Sequence, residues 1–327
     1  MDRDWKSKKW INIDFQKLIS WRFLITKRNF SEQFLKWIYL ESPFGPAHLW
    51  VIFDKEEIIA QNSFLPIETY YNSRLYKSAL NFDISTHPKY RFLFFEKNEN
   101  ENKKSRFGLF HIISSESIEG EEKENCAFII GFPNEKPVLG HLKMGWVNLG
   151  RRPILEKMVT ETHVNCHIQK YNFVEISKFE LEFDYLTIKQ KIENLLIRNR
   201  NSRYLNWRYC AKPDERYWKY KILKHNELIG FLILKIYNSS TGIKCHVVDF
   251  LFPQNDEILF NEVIQLIYDF AQKKNAYMIN VMINSTLNFT KYLLKNGFYQ
   301  DNNAQLFMIR NNNMSSEIGR ASCRERV

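Results

Sequence analysis

Asp83-Ile84-Ser85-Thr86-His87-Pro88-Lys89-Tyr90-Arg91 closes an apolar-rich run that starts at Tyr76, and Gly108-Leu109-Phe110 resumes ordered sequence beyond it. The run Tyr76–Ile84 predicts a strand that ends before Pro88, because proline cannot donate to a ladder. From Gly108 to Glu124 the pattern is helical. A strand that leads into a glycine-started helix leaves backbone N–H groups exposed at the helix N-terminus. Such a group of donors holds anions, and glycine lets the backbone approach a pyrophosphate closely.

The rest of the chain sorts itself around that stretch. Ser31 caps a helix over residues 31–40, and Pro43-Phe44-Gly45-Pro46 stops it. His48–Phe53 and Glu57–Pro66 read as strands around Asp54-Lys55-Glu56. Cys126–Gly131 reads as a short buried strand, broken by Phe132-Pro133-Asn134. Phe92–Arg106, which contains the polar run Glu96–Lys104, is expected to protrude as a loop or irregular hairpin from the end of the Tyr76–Ile84 strand. A similar order then recurs. A helix is expected over Thr187–Arg198, strands over Tyr217–Leu223, Leu228–Tyr237 and Cys245–Phe252, and a helix over Glu257–Lys274. A strand over Ala276–Ile283, a helix over Leu287–Lys295 with Asn296-Gly297 as its C-cap, and a strand over Gln305–Ile309 complete it. The expected fold class is α/β, in two units, each a mixed, mostly antiparallel sheet flanked by helices. The units are expected at 1–150 and 179–313, bridged by 151–178.

Composition is that of a globular protein: 327 residues, 44% hydrophobic and 26% charged. Those values argue against disorder, coiled coil and collagen-like repeats. No apolar run approaches the ~18 residues a membrane-spanning helix needs. Nothing behind Met1-Asp2-Arg3-Asp4 resembles a signal peptide, so the expected location is cytoplasmic. Residues 317–327 resemble the in-frame translation of a common sequencing adapter and are expected to pack against nothing. The net charge of +10 is uneven: residues 1–150 carry 21 Lys and Arg against 19 Asp and Glu. The excess of cations lies in the second half, which suits an anionic partner. No nucleic-acid motif is present, so no nucleic-acid partner is expected.

With Gly131-Phe132-Pro133-Asn134, Gly145-Trp146, Lys36-Trp37-Ile38-Tyr39 and Ser42-Pro43-Phe44-Gly45, the opening stretch resembles a GNAT-type N-acetyltransferase. The likeness is to a tandem subgroup found in bacterial surface-polysaccharide gene clusters. It covers most of residues 31–150. It is weaker over 187–310, where Trp207-Arg208-Tyr209 and Asn296-Gly297-Phe298 match a second unit. The resemblance implies acetyl-CoA as co-substrate and an amine as acceptor, a small molecule or an amino sugar of a glycan. It implies that Ser85 and Thr86 flank the pantetheine arm. Phe107, Gly108 and Leu109 would cradle the pyrophosphate with Arg106 and Arg91. Asn134 would orient the pantetheine or substrate, and Asp83, or a water it holds, would take the ammonium proton. Asp83 could instead pin the turn that follows it. The sequence departs from the family pattern at Phe92–Phe107, which intervenes between Arg91 and Gly108, either an inserted loop or a reading-frame error. A non-catalytic binding protein and a tRNA-dependent aminoacyl transferase of the tandem type are the alternatives. The second unit has no glycine between Asp249 and its helix and is expected to be non-catalytic.

Three further groups carry polar side chains that bear on function. His87 before Pro88 reads as a turn residue rather than a base. His163-x-x-Cys166-His167 lacks the partner cluster a four-ligand site needs, so no metal is expected. Arg198, Arg200, Arg203 and Arg208, interleaved with Tyr204, Trp207 and Tyr209, could hold an anionic acceptor, but a solvated helix face with buried aromatics explains them more simply.

Overall fold

The structure is a computed structural model. It describes residues 5–100, 103–159, 169–189 and 195–312, with the side chains of 94–107 and 302–303 outside the description. The chain forms two compact units. Unit 1 runs to Gly150 and takes in the chain from Leu306 onward; unit 2 is Arg151–Gln305. Each is a mixed, mostly antiparallel sheet flanked by helices.

Unit 1 begins with β1 (Lys8–Lys9) and α1 (Phe15–Thr26), which the sequence pattern did not reveal. Asp14 caps α1 by accepting from the Lys17 N–H at 3.0 Å. Next comes α2 (Glu32–Leu40), whose Ser31 Oγ accepts from Phe34 N at 3.1 Å, and which buries Leu35, Trp37 and Tyr39. Then β2 (His48–Asp54), β3 (Glu57–Tyr71) and β4 (Arg74–Thr86) pair antiparallel in succession. β3 does not end at Pro66, as expected, but runs to Tyr71. The reason is the turn Asn72-Ser73: both residues have positive φ (46° and 65°), the conformation whose twist matches a two-residue hairpin. Pairing therefore continues to Tyr71↔Arg74.

Beyond β4, β5 (Phe94–Asn100) and β6 (Lys103–Gly108) pair antiparallel as a separate two-stranded ribbon outside the main sheet. The segment expected as a loop or irregular hairpin is thus a hairpin. α3 (Leu109–Lys123) follows and packs Leu109 and Ile113 onto Ile52, Ile59 and Ala60 of β2 and β3. β7 (Phe128–Gly131) lies parallel to β4, from Ser78↔Phe128 to Asn81↔Gly131. The short α4 (Val138–Lys143) leads to β8 (Trp146–Met158).

Unit 2 repeats the order. The expected bridge 151–178 contributes β8 from Arg151, which pairs antiparallel with the strand Met278–Met282, and β9 (Asn172–Glu175). The helix expected over Thr187–Arg198 is instead the short α5 (Leu186–Lys189), and Ile197–Arg198 is extended as β10. Arg200 N donates to Thr187 Oγ1 at 3.1 Å, whereas a continuous helix would hold those residues about 20 Å apart. α6 (Ser202–Tyr209), capped by Asn201, is followed by β11 (Trp218–Lys224), β12 (Glu227–Ser239) and β13 (Gly242–Leu251). α7 (Glu257–Lys273), β14 (Met278–Met282), α8 (Asn288–Lys295) and β15 (Tyr299–Asn311) complete the chain. β13 and β14 are parallel, as β4 and β7 are. The closing strand, expected to belong to the second unit, enters unit 1 from Leu306, where Met308 faces Gly131 and supplies β7 with an antiparallel neighbour.

Candidate functional site

Two strands of unit 1 begin together and end apart. β4 and β7 are paired through Asn81↔Gly131, but β7 stops there while β4 continues to Thr86. Beyond Asn81, β4 therefore has no β7 partner for its backbone groups. Here β4 also bulges: Ser63 faces Phe82 and Gln61 faces Ser85, so two residues, Asp83 and Ile84, oppose one. Asp83 takes up the strain with φ of 56°. A cavity of about 400 Å³ opens at this point. Its walls are Asn81–Ser85 of β4, the turn Gly131–Asn134, Arg22, Ile25 and Thr26 of α1, and Pro137, His141 and Trp146.

Asp83 is held by two partners. The Arg22 guanidinium forms an ion pair with Oδ1, and the Tyr39 hydroxyl donates to Oδ2 at 3.0 Å. Burial pulls the Arg22 pKa down, but Asp83 more than offsets this and leaves it raised. Burial and the Asp83 charge push the Tyr39 phenol far up, so it stays protonated and donates. Gln61 Nε2 in turn donates to Tyr39 at 2.9 Å and to Ser63 Oγ at 3.1 Å, which fixes the bulge from below.

Of the other expected site residues, Ser85 and Asn134 line the cavity with Asp83. Thr86 ends β4, and its carbonyl accepts from Arg91 Nε at 3.2 Å. Gly108 caps α3 with no side chain in the way. Leu109 is buried in the core, so only its backbone can serve a ligand. Arg106 and Phe107 lie on β6, their side chains outside the described residues. His87 is a turn residue: Nδ1 accepts from Lys89 N at 3.1 Å, the ring stacks on Trp21, and burial lowers its pKa. His163, Cys166 and His167 lie outside the described residues.

Sequence reasoning missed His141. It is 3% exposed, lies between the rings of Phe110 and Trp146 at centroid distances of 5.4 and 5.1 Å, and has no hydrogen-bond partner among the described residues on either nitrogen. Burial alone pushes its pKa down to about 4, so the imidazole is neutral near pH 7. Trp146 Nε1 is likewise buried and unpartnered. Only Gly145-Trp146 pointed to this corner in the sequence.

Unit 2 carries the same polar arrangement without the same helix terminus. Arg200 grips Asp249 through Nε at 3.0 Å to each oxygen, and Tyr209 donates to Oδ2 at 2.9 Å. Arg200 is thus consumed by Asp249, while Tyr204, Trp207 and Tyr209 are buried. At α7, however, Asp256 occupies the N-cap, accepting from Leu259 N at 3.0 Å and from the Tyr171 hydroxyl. A carboxylate already on those donors repels a phosphate.

No family model matches the sequence, and no curated protein does. Solved structures do. A GCN5-related N-acetyltransferase from Anabaena variabilis superposes with a TM-score of 0.72 at 14% identity, covering 94% of this chain and 73% of that one. A GCN5-related N-acetyltransferase from Kribbella flavida gives 0.65 at 12% identity, covering 94% and 71%. The N-myristoyltransferase of Saccharomyces cerevisiae, with myristoyl-CoA bound, gives 0.61 at 10% identity, covering 96% and 84%. The bulged β4, the parting from β7 and the helix that follows are therefore set in the fold of GCN5-related N-acetyltransferases.

Proposed function

We propose that the chain is an acyl-CoA-dependent N-acyltransferase, with acetyl-CoA as donor and an amine as acceptor. The observation that carries this reading is the pairing of a strand-parting cavity with a side-chain-free helix N-terminus in one unit. The thioester carbonyl enters where β4 leaves β7, and the N–H groups of β4 that β7 no longer meets stabilise the developing oxyanion. Ser85 and Thr86 run beside the pantetheine, and Asn134 orients it or the acceptor from the opposite lip. The pyrophosphate takes the first-turn N–H groups of α3 at Gly108 and Leu109, with Arg91 and Arg106 as counter-charges. Asp83 is engaged by Arg22 and Tyr39, which supports a pinning role over service as the base. The amine attacks the thioester directly; the C–N bond forms, the C–S bond breaks, and the amine proton leaves while the thiolate is released.

The amino sugar of a surface glycan is the proposed acceptor, on the strength of the sequence resemblance. Asp256 on α7 supports a non-catalytic unit 2. The hairpin between β4 and α3 favours a second reading, a protein that binds the nucleotide without turnover. Calorimetry with acetyl-CoA, followed by thiol release with glucosamine as acceptor, tests both. Micromolar binding with turnover is expected. Binding without release of CoA selects the second reading, and no binding at millimolar acetyl-CoA overturns the first.

A further inference from the structure

The charges around the cavity bear on which amines it takes. Among the described residues that line it, the charged side chains are Arg22 and Asp83. They form an ion pair with each other, and Tyr39 adds a hydrogen bond to the same carboxylate. No carboxylate is left over to receive an ammonium group. A protonated amine moved from water to such a wall loses its hydration and gains no counter-charge.

One titratable group of the lining is unengaged. His141 is neutral, 97% hidden from solvent, and flanked by the uncharged rings of Phe110 on α3 and Trp146 on β8. Burial displaces its pKa downward. Both nitrogens lack partners among the described residues, as does Trp146 Nε1 beside it. Buried polar groups without partners cost folding free energy, and those that line a cavity can be satisfied by a water or by a ligand bound there. A neutral imidazole offers one donor and one acceptor. A free amine meets both, an N–H for the ring acceptor and a lone pair for the ring donor or the Trp146 indole N–H, whereas an ammonium group has no lone pair with which to accept.

Resting on the acyltransferase reading, we infer that the acceptor nitrogen binds as the free amine, hydrogen-bonded to neutral His141. The acceptor class is then amines of depressed pKa, such as amino sugars and α-amines, rather than lysine-type alkylamines. An α-amine with pKa of about 8 is roughly one-tenth free at pH 7, whereas an alkylamine near ~10.4 is free in well under a thousandth of its molecules. His141 is a binding residue in this account; the proton the amine sheds after attack leaves to solvent.

The test uses the full chain, acetyl-CoA, and glucosamine, glycinamide and n-butylamine as probes. For the parent, kcat/KM for n-butylamine should rise about tenfold per pH unit from pH 7 to 9, while that for glycinamide levels off near its own pKa. His141→Phe should lower kcat/KM for glycinamide at least tenfold, mostly in KM, and leave acetyl-CoA affinity unchanged. His141→Gln, which keeps a donor and an acceptor, should restore most of it. A flat n-butylamine profile means that the ammonium form binds and overturns the inference. So does an unchanged KM in His141→Phe, or acetyl-CoA binding with no turnover of any probe. If the parent fails to bind acetyl-CoA at all, the acyltransferase reading itself falls.

Discussion

Asp83 and Asp249 are counterparts. Each lies on the third strand of its unit's main hairpin series, each is gripped by an arginine, and each accepts a hydrogen bond from a tyrosine in the last turn of a helix, Tyr39 at 3.0 Å and Tyr209 at 2.9 Å. The tyrosines hold matching places after a tryptophan, in Trp37-Ile38-Tyr39 and Trp207-Arg208-Tyr209. Unit 2, with Asp256 on its helix terminus, keeps the arrangement all the same. An arrangement that recurs beside a helix terminus already occupied by a carboxylate supports a role in the fold.

Asp83→Asn should therefore act first on stability. It leaves the Arg22 guanidinium, 11% exposed, without its counter-charge, at a cost of about 3 kcal/mol. Asp249→Asn should cost a similar amount by stranding Arg200. Urea unfolding of both variants checks this, and Arg22→Met combined with Asp83→Asn should recover part of the loss. An Asp83→Asn protein of parental stability and no turnover would restore the general-base role.

Gly108→Asp separates helix stability from ligand binding. A carboxylate at the N-cap accepts first-turn N–H groups and opposes the phosphate charge. Thermal stability should hold or rise by a few tenths of a kcal/mol, while acetyl-CoA affinity falls at least tenfold. A variant that binds acetyl-CoA as the parent does would place the pyrophosphate elsewhere.

Gly120 sits inside α3, where alanine is worth about 1 kcal/mol more than glycine. Yet a Cβ there would lie 2.1 Å from Cζ2 of Trp50. Trp50 donates to the buried Glu121 carboxylate at 3.2 Å, which limits its freedom to move. Gly120→Ala should lower stability by about 1–3 kcal/mol despite the propensity gain, and a melting scan decides the sign.

His141 makes stability depend on pH. Its ordinary pKa is 6.5 and burial lowers it to about 4 in the folded chain. Below about pH 6.5 the unfolded chain takes up a proton that the folded one refuses, so stability is full above that pH and declines toward pH 4. The full displacement corresponds to about 3 kcal/mol. His141→Phe should flatten the pH dependence of the unfolding free energy between pH 7 and 4. An equally steep decline in that variant would assign it to other groups.

The elements that position the cavity were legible where one physical signal dominated. Tyr76–Ile84 sets apolar among polar residues ahead of Pro88, Cys126–Gly131 is a short apolar run ahead of Pro133, and Gly108 starts its helix as read. α1 escaped because its apolar residues wrap around the helix: Leu18 and Trp21 are buried while Phe23 is exposed. β8 escaped because Arg151-Arg152-Pro153 reads as a loop in isolation and becomes a strand only against β14, where Ile154 faces Met282. At the cavity, Asp83, Ser85 and Asn134 were visible as polar residues at strand ends. Arg22 and His141 were not, since α1 and α4 bring them there from segments with no motif of their own.

The hairpin of β5 and β6 closes on itself: Phe94 pairs with Gly108, so the chain returns to where it left before α3 begins. Length added between those two residues leaves the helix terminus in place. The entropy of closing such a loop grows slowly, by about 0.6 kcal/mol per doubling of its length. Insertions and deletions at the tip are therefore nearly neutral for folding. Evolution, or an engineer, can rewrite this segment as an independent module, long or short, while the N-terminus of α3 keeps its geometry.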